Sequence, residues 1–148
     1  KMLLYAVFFK CVDPVLTIAA TLAHRAPFVY PLAQKEEADK AKQSFARDLC
    51  SDHVAHLNAY ESWRVTGRRS ESYAYRNFLS HSTLKMIQGM REQFTELLDD
   101  IGVVPRVPAT GRIDMRKLNE NSDSWPLVLG LLVVGLYPNV ARVDPKQK

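Results

Sequence analysis

A chain of 148 residues, 47% hydrophobic and 24% charged, can bury one ordinary core, so its composition excludes disorder throughout and predicts a compact domain. The formal net charge of +4 permits a polyanionic partner, but with 16 acidic residues set against 20 basic ones it does not by itself indicate one. Two cysteines, Cys11 and Cys50, supply neither a disulfide framework nor a paired zinc motif, which points to a reducing compartment, the cytoplasm or the nucleus.

Lys1 to Cys11 is apolar on nearly every side. Asp13-Pro14 then reads as an N-cap followed by a first-turn proline, so a second helix is expected from about Val15 to Ala23. Both segments are apolar nearly all round, which predicts a buried helical hairpin. No initiator methionine, basic leader or cleavage site accompanies the opening run MLLYAVFF, so the fold is expected to begin before Lys1.

Pro27 and Pro31 bracket an extended connector, PFVYP, because the residue before each proline is disfavoured from helix. Gln34 to Arg47 has good helix formers with a narrow stripe of Ala38, Ala41 and Phe45, as expected of a helix lying largely in solvent. Ser51 can cap the next helix, where Val54, Leu57, Tyr60 and Trp63 recur every three residues until Gly67. Arg64, Arg68 and Arg69 gather at that turn, more simply a solvated loop than a ligand site, and SESYAYRNFL begins a short helix anchored by Tyr73, Tyr75, Phe78 and Leu79.

Thr83 to Ile101 is the clearest amphipathic helix, with Leu84, Ile87, Met90, Phe94, Leu97, Leu98 and Ile101 on one stripe and Gly102 as its stop. Val103 to Lys117, with two prolines and four basic residues, reads as a long surface connection. Ser122 or Ser124 can cap a last helix with Pro126 in its first turn and an apolar body from Leu127 to Leu136. The apolar run Pro126 to Leu136 is far shorter than the roughly 20 residues a bilayer requires, which predicts a soluble protein without a membrane partner. PNVARV (Pro138 to Val143) reads as a short strand whose sheet lies outside the chain. The expectation is an all-α fold of about seven helices.

Chemistry is sparse in this pattern. Nucleotide hydrolysis needs backbone donors and a lysine to cradle phosphates, and the chain contains no GxxxxGK[ST] or DExH string, so it is not expected to be an ATPase by itself. Asp99-Asp100 and Glu36-Glu37 are more simply solvated charges than acid–base pairs, leaving no catalytic candidate. Cys50, His53 and His56 have helical spacing, but six residues sweep well round the axis and no second pair is near, so a core or capping role is expected rather than a metal site. Trp63 with Arg64 and Tyr75 with Arg76 can stack bases and neutralise phosphates, although most aromatics at helical spacing are core.

Five strings in order resemble the C-terminal region of DExH helicases of the RNA helicase A type: KMLLYAVFFKCVDPVLTIAATLAHR, the PF pair, SDHVAHLNAYESW, RNFLS and GLYPNVARV. The resemblance implies a ratchet-like helicase-associated bundle over residues 1–137, with 138–148 beginning an OB-fold. It also implies a wall of the channel that holds single-stranded RNA beside the motor domains, where the parent would bind ATP and magnesium. This fragment itself is expected to need no cofactor. Carried over by position, the SDH motif with His53, Asn77 and Ser80 of RNFLS, and the long helix bearing Arg91 lie nearest RNA; Arg76 and Lys85 join them on charge.

Departures qualify the resemblance. Many relatives carry an acidic residue at the position of Ala26 and leucine at that of His56, and many DEAH members place arginine at that of Ser82. LNENSDSW followed by GLYPNVARVD is most similar to the branch holding the YTH-domain meiotic helicase and fly benign gonial cell neoplasm. That branch implies an alternative role, a protein-binding scaffold of an inactive helicase in translational control.

Overall fold

In a computed structural model, residues 1–49 and 51–140 are described, and they hold eight α-helices and no strand. In chain order these are α1 (Met2–Phe8), α2 (Val12–Ala23), α3 (Lys35–Ala46), α4 (Asp52–Arg64), α5 (Ser70–Arg76), α6 (His81–Asp100), α7 (Met115–Leu118) and α8 (Trp125–Leu136). The all-α expectation holds. The described part of PNVARV, Pro138 to Val140, is turned, with Asn139 N–H donating to the Leu136 carbonyl at 2.8 Å; Ala141 to Val143 lie outside the described residues. None of the described helices is long and apolar enough to cross a membrane.

Two compact units divide the chain. The first comprises Lys1–Val15 and the described residues of Val103–Lys148. Here α1 packs along α8 at Gly135, where an added Cβ would come within 2.7 Å of the Met2 side chain. The buried hairpin is corrected for its first half: Ala6 is buried, whereas Leu4, Tyr5 and Phe9 are partly exposed and Phe8 is 78% exposed. A helix of seven residues packed along one side against α8 leaves its other apolar positions outward. Asp13 also sits inside the first turn of α2 rather than capping it; its N–H is satisfied by Asn119 Oδ1 at 2.7 Å.

The segment Val103 to Lys117 is more ordered than a surface loop. Arg106 and Ile113 form an antiparallel bridge, closed by Val107 N–H to the Arg112 carbonyl at 2.8 Å, and Gly111 supplies the positive φ that the reversal requires. Asp114 then caps α7 by accepting from Lys117 N–H at 3.1 Å.

Leu16–Gly102 forms the second unit. Its core follows the three-residue rhythm of α4: Val54, Leu57, Tyr60 and Trp63 are all buried, and Tyr60 and Trp63 share one cluster with Leu84 and Ile87 of α6. Each such large apolar side chain contributes on the order of 1.5–3 kcal/mol on burial. The predicted stripe on α6 narrows at its far end: Leu98 is buried, whereas Leu97 and Ile101 are more than half exposed. The small Ala74, not Tyr75, is the buried residue of α5; Tyr75 is 86% exposed. Trp63 is core rather than a stacking platform, its Nε1–H donating to His81 Nδ1 at 3.0 Å.

Candidate functional site

The connector from Pro27 to Pro31 and the turn between α5 and α6 are far apart in sequence and adjacent in the second unit. Pro27 and Pro31 hold the connector extended, so its backbone groups must find partners outside a helix. Val29 N–H donates to the Phe78 carbonyl and Ser80 N–H to the Pro27 carbonyl, both at 2.8 Å, forming the Phe28–Leu79 bridge. The Phe28 ring is fixed against Phe45 and His56, with centroids 5.9 and 5.8 Å away. Phe78 has φ +55°, an uncommon conformation for a bulky residue, which the Val29 bond helps to hold.

A cleft of about 470 Å³ opens beside this bridge, lined by Val29, Pro31, Gln34, Tyr75, Arg76 and Phe78. Its walls are largely apolar and Arg76 contributes the charge. Arg76 Nε–H donates to the Ser72 carbonyl at 3.3 Å, and no carboxylate pairs with its guanidinium among the described residues. Arrangements of this kind can hold a planar ring against Tyr75 and an anion at Arg76.

The other residues singled out by the sequence fall into distinct settings. Asn77 Nδ2–H donates to the Tyr73 carbonyl at 2.8 Å, closing the end of α5. Ser80 caps α6, accepting from Thr83 N–H at 3.2 Å and from the Thr83 hydroxyl at 2.9 Å. Lys85 is exposed on the first turns of α6. Arg91, farther along α6, turns inward: its guanidinium lies 5.0 Å from the centre of the Tyr60 ring and donates to the Thr17 hydroxyl. Arg76, Asn77 and Ser80 are therefore brought together at the α5–α6 turn, while Arg91 is tied to α2 and α4.

His53 lies at the start of α4, with a buried Nδ1 that has no hydrogen-bond partner among the described residues. Beside it, Lys42 and Asp52 form an ion pair at 2.8 Å; the hydrogen bond from Lys42 holds the Asp52 carboxyl below its usual range and raises Lys42. Burial drives the His56 imidazole down to about 4, which keeps it neutral against Phe28. The His53 and His56 rings stand edge to face with centroids 6.5 Å apart, and Cys50 lies outside the described residues. Ser51 occupies the N-cap position of α4 without a side-chain capping bond.

Val29, Pro31 and Gln34 were not marked by the sequence as site residues. The paired prolines signalled an extended connector, but the strand-like contact with RNFLS is set by tertiary structure and leaves no local spacing pattern.

Comparison with known proteins fits this architecture. Residues 1–56 match the family described as "Helicase associated domain (HA2), ratchet-like". The chain is 46% identical over 150 residues to "DExH-box ATP-dependent RNA helicase DExH1" of Arabidopsis thaliana, covering 100% of this chain and 14% of that protein. It is 38% identical over 151 residues to "ATP-dependent DNA/RNA helicase DHX36" of Homo sapiens, covering 97% of this chain and 14% of the relative. With "Putative ATP-dependent RNA helicase DHX57" of Mus musculus it shares 39% over 160 residues, 97% of this chain and 12% of the relative. The chain thus spans about one-seventh of the length of such curated relatives. Along its whole length it is similar to one segment of these DExH-box RNA helicases, and its first 56 residues match the ratchet-like helicase-associated domain.

Proposed function

We propose that the chain forms part of the RNA channel of an ATP-dependent DExH helicase, touching single-stranded RNA on the face that bears Arg76, Asn77, Ser80 and Lys85. The observation that carries this reading is the exposed Tyr75–Arg76 pair at the cleft, in a segment homologous to named RNA helicases. Arg91 enters as a positioning residue that fastens α6 to α2 and α4, and His53 as a contact at the start of α4. Residues 1–137 serve as the ratchet-like domain and 138–148 lead into an OB-fold. ATP and magnesium belong to motor domains of the full-length protein, which acts in the cytoplasm. The phosphate-binding string they require is absent from this chain's sequence.

The test is single-stranded RNA affinity of the full-length protein as a function of salt. Lys85→Ala and Arg76→Ala should each weaken binding and reduce the salt slope by about 0.7. Unchanged affinity and slope in both would sink the assignment.

A second reading, a scaffold within an inactive helicase of the branch containing benign gonial cell neoplasm, draws on Ser82. Its hydroxyl meets Ser80 Oγ at 3.1 Å where many DEAH members place an arginine. ATP hydrolysis by the full-length protein separates the two: RNA-stimulated turnover favours the motor, and its absence favours the scaffold.

A further inference from the structure

We propose that the cleft beside Tyr75 seats one nucleobase of single-stranded RNA, with the Tyr75 ring as stacking platform and Arg76 holding the adjoining phosphate. This rests on the RNA-contacting reading above and assigns the chemistry of that site. Tyr75 is 86% exposed although its neighbour Ala74 is fully packed, so the ring does not serve the core. Its hydroxyl has no hydrogen-bond partner among the described residues, so both the ring face and its polar end are open to a ligand.

Arg76 sits next to it, exposed, with Nε–H donating to the Ser72 carbonyl and its other guanidinium donors unpaired with any carboxylate among the described residues. An unneutralised guanidinium beside an exposed ring suits a planar, anionic ligand better than an apolar peptide. Other lining residues are held in advance: Pro31 is rigid, and the bond from Val29 N–H to the Phe78 carbonyl helps to hold Phe78 in its left-handed conformation. A volume of about 470 Å³ is in the range of small-ligand clefts.

Base selectivity should be weak. The nearby backbone donors of Val29 and Ser80 are already used in the bridge, which leaves the Gln34 side-chain amide as the polar group able to meet a base edge. An amide offers both donors and an acceptor, so it can adapt to different bases.

The experiment uses the full-length protein with single-stranded RNA carrying 4-thiouridine, photo-crosslinked and digested with trypsin. The expected adduct lies on the peptide Ser70–Arg76, is lost in Tyr75→Ala and persists in Tyr75→Phe. Tyr75→Ala should weaken RNA binding roughly five- to hundredfold without altering the salt slope, and Tyr75→Phe should restore it. Because Tyr75 is exposed, thermal stability should be unchanged, which excludes misfolding as the cause. If RNA binds and responds to Lys85→Ala while Tyr75→Ala changes neither adduct nor affinity, the base seat is overturned and the channel reading stands. If the wild-type protein binds no RNA, both fail. Loss of a bound protein in Tyr75→Ala with RNA binding intact would identify a peptide groove and also overturn the base seat.

Discussion

Acidification should destabilise the second unit through His56, and replacing that residue should remove the effect. The imidazole packs on Phe28 with ring centroids 5.8 Å apart, and burial lowers it from 6.5 to about 4. The Asp52 charge opposes this shift, while His53 and Lys42 add to it. Because the folded value is depressed, the unfolded chain binds the proton more readily between about pH 6.5 and 4, so stability is full above that window and falls with pH through it. The linkage relation gives a loss of about 2 kcal/mol at pH 5 and about 3 kcal/mol at pH 4. Asp52 contributes in the same direction only at lower pH, since its folded value lies below 3.8. Urea unfolding of wild type and His56→Leu at pH 7, 5.5 and 4.5 isolates the histidine, because other groups titrate alike in both proteins. The leucine variant should match or exceed wild type at pH 7 and gain on it progressively below. Parallel pH profiles for the two proteins would refute the reasoning.

Ser80→Ala should cost about 1 kcal/mol in thermal unfolding by removing the α6 cap, whereas Ser80→Asp should keep the cap and lower RNA affinity by repelling phosphate. Arg91→Ala should destabilise by about 1–3 kcal/mol, through loss of the Tyr60 and Thr17 contacts, while leaving the salt slope of RNA binding unchanged. Two glycines should respond with opposite signs in chemical denaturation. Gly89→Ala, in open space within α6, should stabilise by about 1 kcal/mol, and Gly135→Ala should destabilise by about 1–3 kcal/mol, because the new Cβ meets Met2 Cβ at 2.9 Å.

Elements governed by local periodicity were legible in the sequence. The spacing of Val54, Leu57, Tyr60 and Trp63 located α4 and its buried face, and Leu84 and Ile87 located that of α6. Reading anchors by size held for Leu79, which is buried, and for Tyr73, which packs against the core, but not for Tyr75: successive residues point about 100° apart, and Ala74 takes the buried direction. The fate of α1 depended on α8, which packs against one side of it from the other end of the sequence. The site was legible in its parts, Tyr75 with Arg76 and the residues of RNFLS, but not in its assembly, because the Phe28–Leu79 bridge depends on the fold rather than on neighbouring residues. Arg91, carried over by position, and Lys85, added on charge, sit in different settings on the same helix. Six residues separate them, which at ~100° per residue puts the two ~120° apart around α6, so one reaches the core and the other faces solvent.

The same geometry makes Ser82 the most informative position for the channel reading. Ser82 and Lys85 are three residues apart on α6, share a face and are both exposed. An arginine at 82 would stand one turn from Lys85 and add a second cation to that face. Ser82→Arg forfeits the exposed hydroxyl contact with Ser80, but the cap itself is the bond from Thr83 N–H and is unaffected. Stability should therefore stay within about 0.5 kcal/mol of wild type. If this face lies along the RNA backbone, one added phosphate contact should steepen the salt dependence of single-stranded binding by about 0.7. Combining it with Lys85→Ala should return the slope to about its original value, since one contact replaces another. A slope unmoved by Ser82→Arg, in a protein that binds RNA, would mean that the Ser82–Lys85 face points away from the channel and that contact is confined to the Tyr75–Arg76 cleft.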